Sequence, residues 1–344
     1  MDTLYCFRTD RMTSRFQAML GCWRYTRKVG AQLSVIWPPP RDEYLASDNK
    51  HFELSRIFDV PEVYARHPDL HFADGPIPAR FMKLWKKHAP QLHHGGVIDS
   101  FSELKMGDYH LNGAIRWYRD RTETREQATK EASALFKELP LRRELAQIID
   151  AEAKEDFTAL HIRRGDLVGI GRDVLLRLKV GQIDLARAAF RMLIAKSIPI
   201  KAYEAFLQDG KRNYLVFSDD TSVAQNLMDK FGSGNDQAYS YASEGLYSIE
   251  RDFIEMSVMS RCREVVGGGS VFARFAAMIA DKPMIDLRSS LHWDDYIDML
   301  FNECLDPEKD AAFFNDEQEW RQKLQEMIRS DVKYRRRIGH MVGK

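Results

Sequence analysis

The sequence contains no apolar run approaching the ~18 residues of a membrane-spanning helix, and its first residues include no apolar segment of the kind found in signal peptides. The 51 basic residues balance 51 acidic ones, so the overall charge does not indicate a nucleic-acid-binding protein. We therefore expect a cytoplasmic protein in which any recognition of an anion is local. The four cysteines are far apart and form no C-x-x-C pair, which argues against a disulfide framework or a zinc site and predicts reduced, partly buried thiols: Cys6, Cys22, Cys262 and Cys304.

Several common ligand-binding patterns are also missing. There is no P-loop, which argues against an ATPase or kinase of that kind, and no G-x-G-x-x-G follows the first predicted strand, which argues against a standard dinucleotide dehydrogenase. No D-x-D pair or cluster of histidine and carboxylate residues stands out, so nothing in the pattern requires a metal ion. The adjacent His93 and His94 lack a carboxylate partner in the sequence and are interpreted as solvated residues.

What the sequence does contain is an alternation of short apolar runs and helical periodicity. At 344 residues the chain is long enough for two domains. A strand at Thr3–Phe7, a helix at about 15–29 and a strand at 33–37 predict a βαβ unit with a parallel pair of strands. Gly30 is expected to end the helix. The pattern of residues 41–150 is looser, which predicts an α/β domain with long loops.

The second half of the chain alternates more clearly. Its strands and helices follow one another in turn, which predicts an α/β fold with a doubly wound parallel sheet. Thr221 is expected to cap the helix that follows the second of these strands. The predicted strands are 157–162, 213–218, 238–241, 264–266 and 283–287, and the predicted helices are 183–195, 200–208, one after Thr221, 248–261, 270–280 and part of 316–337.

Three predicted strand ends carry groups suited to binding a ligand. They are residues 161–166 (HIRRGD), 218–220 (SDD) and 267–270 (GGGS). The glycines at 165, 169 and 171 predict that the first segment belongs to a glycine-bearing loop after its strand. Because the carboxyl ends of parallel strands lie at one edge of a sheet, we expect these segments to share that edge. The adjacent arginines of the first segment indicate an anionic partner such as phosphate, and its aspartate is expected to pair with one of them.

Each segment also has a purely structural interpretation. Two arginines beside an aspartate can form a solvated salt bridge at a strand end. The three glycines can be a flexible turn instead of a phosphate seat made by backbone amides at a helix N-terminus. Asp219 or Asp220 can be a helix N-cap instead of a ligand for a ribose or base, and Asp252 lies early in a predicted helix, where the dipole favours a carboxylate in any case.

Taken together, these segments resemble the signature regions of the superfamily of α1,2/α1,6- and protein O-fucosyltransferases. The amino-terminal region is similar to that of rhizobial nodulation fucosyltransferases, and the α1,2 enzymes share the form of the first two motifs more literally. The resemblance covers about 157–287 well and 1–40 loosely. The residues that carry it are HIRRGD at 161–166, VFSDD at 216–220, MSRC at 259–262, GSVFAR at 269–274, CWRYTRK at 22–28 and VIW at 35–37.

The resemblance implies a GT-B fold, in which two Rossmann-like domains face each other across a cleft. Residues 1–155 would form the acceptor-side domain, residues 156–310 the nucleotide-sugar-binding domain, and residues 311–344 a C-terminal helix. It further implies inverting transfer of fucose from GDP-fucose to a hydroxyl of a glycan or glycolipid, without an obligatory metal or other cofactor and without nucleic acid.

The resemblance also implies roles for individual residues. Arg163 would hold the β-phosphate, with Arg164 nearby and Asp166 as its support, and these three form the expected catalytic set. Aspartates would contact guanosine, while Ser270 and the neighbouring amides would hold the diphosphate. The expected donor-binding residues are His161, Arg163, Gly165, Ser218, Asp219, Asp220, Asp252, Gly268, Gly269, Ser270, Val271 and Arg274.

Two departures from the family pattern keep alternatives open. The early glycine-rich loop is replaced by residues 10–15 (DRMTSR), and the third region has three glycines where relatives often have Ser or Thr. The alternatives are a GT-B transferase for another nucleotide sugar and a non-catalytic nucleotide- or glycan-binding protein. Neither the acceptor nor the oligomeric state follows from the sequence.

The general base is likewise left open. Its candidates are Asp173, Asp108 and His110, although each is more simply a structural or surface residue. The basic residues 335–337 (RRR) allow at most peripheral contact with anionic lipid, such as the inner membrane of a bacterium, and a solvated tail is the simpler interpretation.

Overall fold

The computed structural model describes residues 3–7, 12–37, 53–73, 97–98, 117–118, 123–208, 213–232, 238–239, 248–305, 310 and 317–330. The described strands pair in parallel within their sheets, and helices connect most of them, so the predicted α/β class is confirmed. The chain divides into two compact units. The first comprises Met1–Ala153, Tyr241–Arg261 and Phe275–Lys282, and the second comprises Lys154–Ser240, Cys262–Arg274 and Pro283–Lys344.

The helices and strands are numbered here in chain order. The strands are β1 (Thr3–Phe7), β2 (Gln32–Ile36), β3 (Leu70–Ala73), β4 (Val97–Ile98), β5 (Trp117–Tyr118), β6 (Thr158–Ile162), β7 (Tyr214–Ser218), β8 (Ala238–Tyr239), β9 (Glu264–Gly267) and β10 (Met284–Asp286). The helices are α1 (Met12–Val29), α2 (Val60–Arg66), α3 (Arg125–Lys137), α4 (Arg143–Glu152), α5 (Gly165–Lys179), α6 (Ile183–Lys196), α7 (Ile200–Gln208), α8 (Thr221–Phe231), α9 (Ser248–Arg261), α10 (Val271–Ala280), α11 (Trp293–Cys304) and α12 (Glu317–Ser330), with short 3-10 helices at Leu54–Arg56 and Leu287–Ser290.

The first unit contains the parallel sheet β1-β2-β3 and the separate pair β4-β5. The predicted βαβ unit is present, and Gly30 ends α1 with a φ of 68°, a conformation that glycine adopts without steric cost. The helix begins at Met12, three residues before its predicted start, so residues 12–14 are helical and not part of a loop.

A cluster of five buried phenylalanines forms part of the first unit's core and draws in two late segments of the chain. The ring of Phe16 on α1 stacks on Phe275 with centroids 5.8 Å apart and meets Phe136 edge-on at 5.3 Å. Phe58 and Phe253 lie within 6.0 Å of Phe16 as well. Because burying aromatic rings is a large favourable contribution, α9 and the end of α10 belong to this unit. The division that the resemblance implies, at residues 155 and 310, is continuous and assigns both segments to the second domain.

The second unit contains the five-stranded sheet in the order β10-β9-β6-β7-β8. The central strand β6 pairs with β7 on one side, where Ile162 lies opposite Ser218. It pairs with β9 on the other side, where His161 lies opposite Gly267. One face of the sheet packs against α7 and α8. A second apolar cluster is formed between α5, α6, α11 and α12.

Two predictions for the second unit were wrong in detail. The glycine-rich stretch after β6 was interpreted as a loop, but Gly169 and Gly171 lie inside α5. The N-cap of α8 is Asp220 and not Thr221, because the aspartate accepts hydrogen bonds from the first amides of that helix. The four cysteines are buried and form no disulfide, as predicted. Among the described helices, none combines the length and apolar character needed to cross a bilayer.

Candidate functional site

The three segments singled out in the sequence follow neighbouring strands at the carboxyl edge of the second unit's sheet. From β6 the chain proceeds outward through β7 to β8, and then β9 returns to the other side of β6. The strand order therefore reverses between β6 and β9. In open α/β sheets this switch point is where the connecting loops separate and a ligand binds. The prediction that the three strand ends share one edge is confirmed, and their order is now known.

Arg163, the first residue after β6, is held by a two-pronged pair with Asp166. Its Nε lies 3.1 Å from Oδ1, and its Nη2 lies 2.8 Å from both carboxylate oxygens. This is the pairing of Asp166 with one arginine that the sequence predicted. Within the described residues, Nη1 of Arg163 has no partner. The pair therefore fixes the plane of the guanidinium.

Arg164 is engaged differently from its neighbour. Its Nη1 donates to Oε2 of Glu303 over 2.7 Å, and its Nη2 donates to the backbone oxygen of the same residue over 3.0 Å. Both side chains are largely buried, with 13% and 15% of their surfaces exposed. Burial raises the pKa of Glu303, and the Arg164 guanidinium opposes that rise. This partner could not be identified from the local pattern, because it lies 139 residues away in the chain.

The loops after β6 and β7 are joined by Asp219. Its Oδ1 accepts a hydrogen bond of 2.6 Å from the backbone N–H of Arg164. A Cβ at Gly165 would lie 2.5 Å from the other oxygen of Asp219, so the approach of the carboxylate requires a glycine there. Gly165 and Asp219 are thus in close contact across the two loops.

Asp220 and Ser218 have local structural partners. The Oδ1 of Asp220 accepts from the amides of Ser222 and Val223 and from the hydroxyl of Ser222. The hydrogen bond from the Ser222 hydroxyl is the main reason why the pKa of Asp220 lies below its usual value. Ser218 accepts from the amide of Asp220 at 3.1 Å. The N-cap interpretation therefore holds for Asp220, and any contact with a nucleoside is left to its other oxygen.

The two glycines that follow β9 pack against the end of another helix. A Cβ at Gly269 would overlap the backbone oxygen of Ala195, and one at Gly268 would lie 3.0 Å from that of Lys196, both in the last turn of α6. These glycines are therefore required by close packing of two backbones, whatever the loop binds.

The start of α10 continues this loop. Ser270 is buried, and its carbonyl accepts from the amide of Arg274, whose side chain is exposed. Among the described residues, no acceptor takes the N–H groups of Val271 or Phe272. The first amides of a helix have no partner inside it, and they favour anions. The start of α10 therefore has amides suited to an anion, and the binding of an anion there stays a prediction.

A buried arginine that the sequence analysis missed holds the end of α6 in place. Arg288 is 1% exposed, pairs with Asp286, and donates from Nη1 to the carbonyls of Ile194 and Ala195 at 2.8 and 3.0 Å. The hydroxyl of Tyr296 donates to the carbonyl of Ser197 at 2.9 Å. Because cations stabilise a helix C-terminus, these contacts fix the turn against which the glycines pack. In the sequence, an aspartate and an arginine two residues apart at the end of β10 (Asp286 and Arg288) were the signal that could have indicated this pair.

His161, near the end of β6, contacts both α10 and α7. Its ring stacks on Phe272 with centroids 5.7 Å apart, and its carbonyl accepts from the hydroxyl of Tyr203 at 2.7 Å. Burial is the main cause that lowers the pKa of His161 to about 4, with Arg163 acting in the same direction and Asp219 against it. The ring is therefore neutral at physiological pH and connects β6 to the start of α10.

Other residues named from the sequence lie elsewhere. Asp252 lies on α9 in the first unit. Asp173 on α5 pairs with Arg177 of the same helix at 2.6 Å. Asp108, His110, the histidines at 93–94 and the basic residues 335–337 lie outside the described residues, as does 10–11 of the segment that replaces the early glycine-rich loop.

Comparison with known proteins gives structural similarity only. No protein-family model and no curated protein matches the chain. It is similar to the crystal structure of NodZ α-1,6-fucosyltransferase soaked with GDP-fucose, with 14% identity, a TM-score of 0.46, and coverage of 81% of this chain and 92% of that one. For NodZ from Bradyrhizobium the values are 16%, 0.43, 80% and 92%. For POFUT1 in complex with GDP-fucose they are 13%, 0.45, 82% and 96%. Identities and TM-scores this low do not establish a shared reaction.

Proposed function

We propose that this protein is a glycosyltransferase that transfers fucose from GDP-fucose to a hydroxyl group of a glycan or glycolipid, with inversion and without an obligatory metal. The observation that carries the proposal is the pairing of two anion-binding features at the switch point of the sheet. Counting partners among the described residues alone, Nη1 of Arg163 after β6 and the first amides of α10 after the adjacent β9 have none. A diphosphate is the ligand that such a pair of features fits.

In this proposal the site acts on the leaving group. As the bond between the anomeric carbon and the phosphate oxygen breaks, its electron pair passes to GDP, and negative charge grows on the β-phosphate. A fixed guanidinium stabilises this charge more in the transition state than in the ground state. One such donor contributes on the order of 3 kcal/mol to lowering the barrier. Asp166 holds the guanidinium in one orientation beforehand, so little reorganisation accompanies the reaction.

The acceptor hydroxyl attacks the anomeric carbon from the face opposite GDP, and a new carbon–oxygen bond forms as the old one breaks. The proton of the hydroxyl passes to a general base that this proposal leaves unassigned among Asp173, Asp108 and His110. Of these, Asp173 pairs with Arg177 of the same helix at 2.6 Å. The GT-B arrangement, with the second unit binding the donor, is part of the proposal.

The remaining donor contacts in the proposal follow from the same edge. Asp219 and Asp220 use Oδ1 for the loop and for the helix cap, which leaves Oδ2 of each for the guanosine. Arg274 lies one turn into α10 with an exposed side chain and is assigned to the diphosphate. Asp252 is assigned to guanosine by the family resemblance alone.

The test compares Arg163→Ala with Arg187→Ala in an assay for release of GDP from GDP-fucose and from a panel of other nucleotide sugars. Arg187 is the matched control because it also pairs with an aspartate three residues away, Asp184 at 2.8 Å, but lies on α6 and not at a strand end. We expect turnover with GDP-fucose in the native protein, loss of at least about a hundredfold in Arg163→Ala, and little change in the control. Near-native turnover in Arg163→Ala would contradict the proposed role of Arg163. A preference for another nucleotide sugar would contradict GDP-fucose as the donor.

A further inference from the structure

Glu303, near the end of α11, contacts both the HIRRGD loop and a second helix. Its Oε2 accepts from Nη1 of Arg164 at 2.7 Å, and its backbone oxygen accepts from Nη2 of the same arginine at 3.0 Å. Its Oε1 accepts from the backbone N–H of Ile200 at 2.7 Å, the first amide of α7. One carboxylate therefore joins the motif loop, α7 and α11.

Glu303 and Arg164 form a largely buried ion pair, so each charge depends on the other for compensation. The side chains of Glu303 and Arg164 are 15% and 13% exposed, and Nε of Arg164 is buried without a partner among the described residues. Removing one member of a largely buried ion pair leaves the other charge without compensation, which is more costly than replacing both. The position of Arg164 is thus sensitive to the charge at position 303.

Arg164 in turn determines where its neighbour lies. Its backbone N–H is bound to Asp219 at 2.6 Å, and the next residue, Gly165, begins α5, which carries Asp166. The guanidinium of Arg163 is aimed by Asp166. A shift of Arg164 would therefore be transmitted to Arg163 through only one peptide bond and through the first turn of α5.

We propose that Glu303 is a positioning residue for the anion-binding loop: by holding the Arg164 side chain against α7 and α11, it sets the place of the Arg163 guanidinium. The two adjacent arginines then have different tasks, one towards the protein and one towards the ligand. The inference rests on the proposed function only in naming that ligand as the diphosphate of GDP-fucose, because the contacts themselves involve no ligand.

The test uses Glu303→Gln in the full chain, with the Kd for GDP measured by calorimetry and the KM and kcat for GDP-fucose. The amide keeps the size of the side chain but removes the charge that balances Arg164. We expect the Kd and KM to rise about tenfold. Glu303→Asp, which keeps the charge on a shorter side chain, should recover part of that loss.

Two control variants on α11 separate positioning from stability. Leu300→Ala removes a buried side chain of the α5–α6–α11–α12 core and should lower the Tm without changing the Kd for GDP more than about twofold. Asp298→Asn makes the same change from carboxylate to amide five residues away, in a pair with Arg321, and should leave the Kd unchanged. Equal losses of GDP affinity in Glu303→Gln and Leu300→Ala would overturn the proposal.

A double-variant comparison identifies the route of the effect. In a background of Arg164→Met, the change Glu303→Gln should have no further effect on the Kd, because the carboxylate then has no arginine to hold. If the same tenfold loss persists in that background, Glu303 acts through the amide of Ile200 and α7, and the proposal is wrong.

Hydrogen exchange supplies a readout that needs no ligand. In Glu303→Gln the amide of Arg164, bound to Asp219 in the native protein, should exchange faster, whereas in Asp298→Asn it should not. Faster exchange in a protein that binds no GDP would support the positioning of the loop while contradicting the proposed function. Unchanged exchange and unchanged affinity in a protein that does bind GDP would contradict the positioning alone.

Discussion

The backbone N–H of Arg164 donates to Oδ1 of Asp219 over 2.6 Å, so the loops after β6 and β7 are held together directly and not only through their strands. The contact is a charge-assisted hydrogen bond, which is shorter and stronger than a neutral one. It occurs at the point where the chain leaves the sheet and α5 begins. The residue that supplies the amide also has its side chain anchored, and its neighbour carries the guanidinium assigned to the ligand.

The first prediction concerns the glycine that makes this contact possible. Gly165→Ala would place a Cβ 2.5 Å from a carboxylate oxygen of Asp219, so the two loops must separate. We expect the free energy of unfolding, measured by urea denaturation, to fall by about 1–3 kcal/mol. Gly169→Ala is the control, because no atom of the described residues lies within 4 Å of its added Cβ and alanine favours the helix. Equal effects of the two substitutions would contradict the contact.

The second prediction concerns the glycines after β9. Gly269→Ala would drive a Cβ into the backbone oxygen of Ala195, which cannot move as the end of a flexible side chain can. We expect destabilisation at or above the upper end of about 1–3 kcal/mol, together with weaker GDP binding because α10 is displaced. Gly267→Ala, whose Cβ would lie 3.1 Å from the oxygen of His161, should be milder. The check is the Tm of both variants, and the reverse order would show that the two backbones do not pack as described.

The third prediction separates the orienting aspartate from stability. Asp166→Asn removes the charge that orients Arg163. Because the aspartate side chain is 39% exposed, the free energy of unfolding should change by less than about 1 kcal/mol. The Kd for GDP, measured by calorimetry, should nevertheless rise about tenfold. Asp184→Asn is the control, since it breaks a similar pair with Arg187 on α6. If both variants lost affinity for GDP equally, the loss would come from the change in net charge and not from the orientation of Arg163, and the prediction would be wrong.

The fourth prediction concerns acid stability. His161 has an ordinary pKa of 6.5, which burial lowers to about 4 in the folded chain, so below pH 6.5 the unfolded chain binds a proton that the folded chain does not. Its contribution to stability is therefore complete above pH 6.5 and is lost as the pH falls from 6.5 to 4. The loss should be on the order of 3 kcal/mol, since each unit of pKa difference corresponds to about 1.4 kcal/mol.

The variant His161→Phe tests this, because its ring can still stack on Phe272 but cannot take up a proton. The free energy of unfolding should fall less steeply between pH 6.5 and 4 in the variant than in the native chain. Asp219 and Arg163, the charged groups that act on the ring, are the same in both proteins. Parallel pH profiles would show that the acid sensitivity arises elsewhere.

The sequence predicted the parts of the fold that depend on local chemistry. Thr3–Phe7, Ile200–Gln208 and Ser248–Arg261 were found with the predicted bounds, because short apolar runs and regular helical periodicity determine them. The common edge for the three motif segments also followed, since parallel strands end together.

The predictions were wrong or missing where the residue type is determined by a contact with a residue far away in the sequence. Gly171 looked like part of a loop, but it lies inside α5, where a Cβ would overlap the sulfur of Cys304 on α11. Close packing of two helices, and not a turn, required the glycine. For the same reason Glu303 could not be identified: nothing in its local pattern indicates that its carboxylate meets Arg164. Such choices become visible only when the elements are assembled.

The most direct measurement is a crystal structure of the protein with GDP. The account predicts that the β-phosphate lies within hydrogen-bonding distance of Nη1 of Arg163 and of the first amides of α10, between the carboxyl ends of β6 and β9. GDP bound at any other place, or bound at this edge with its phosphates away from Arg163, would contradict the account.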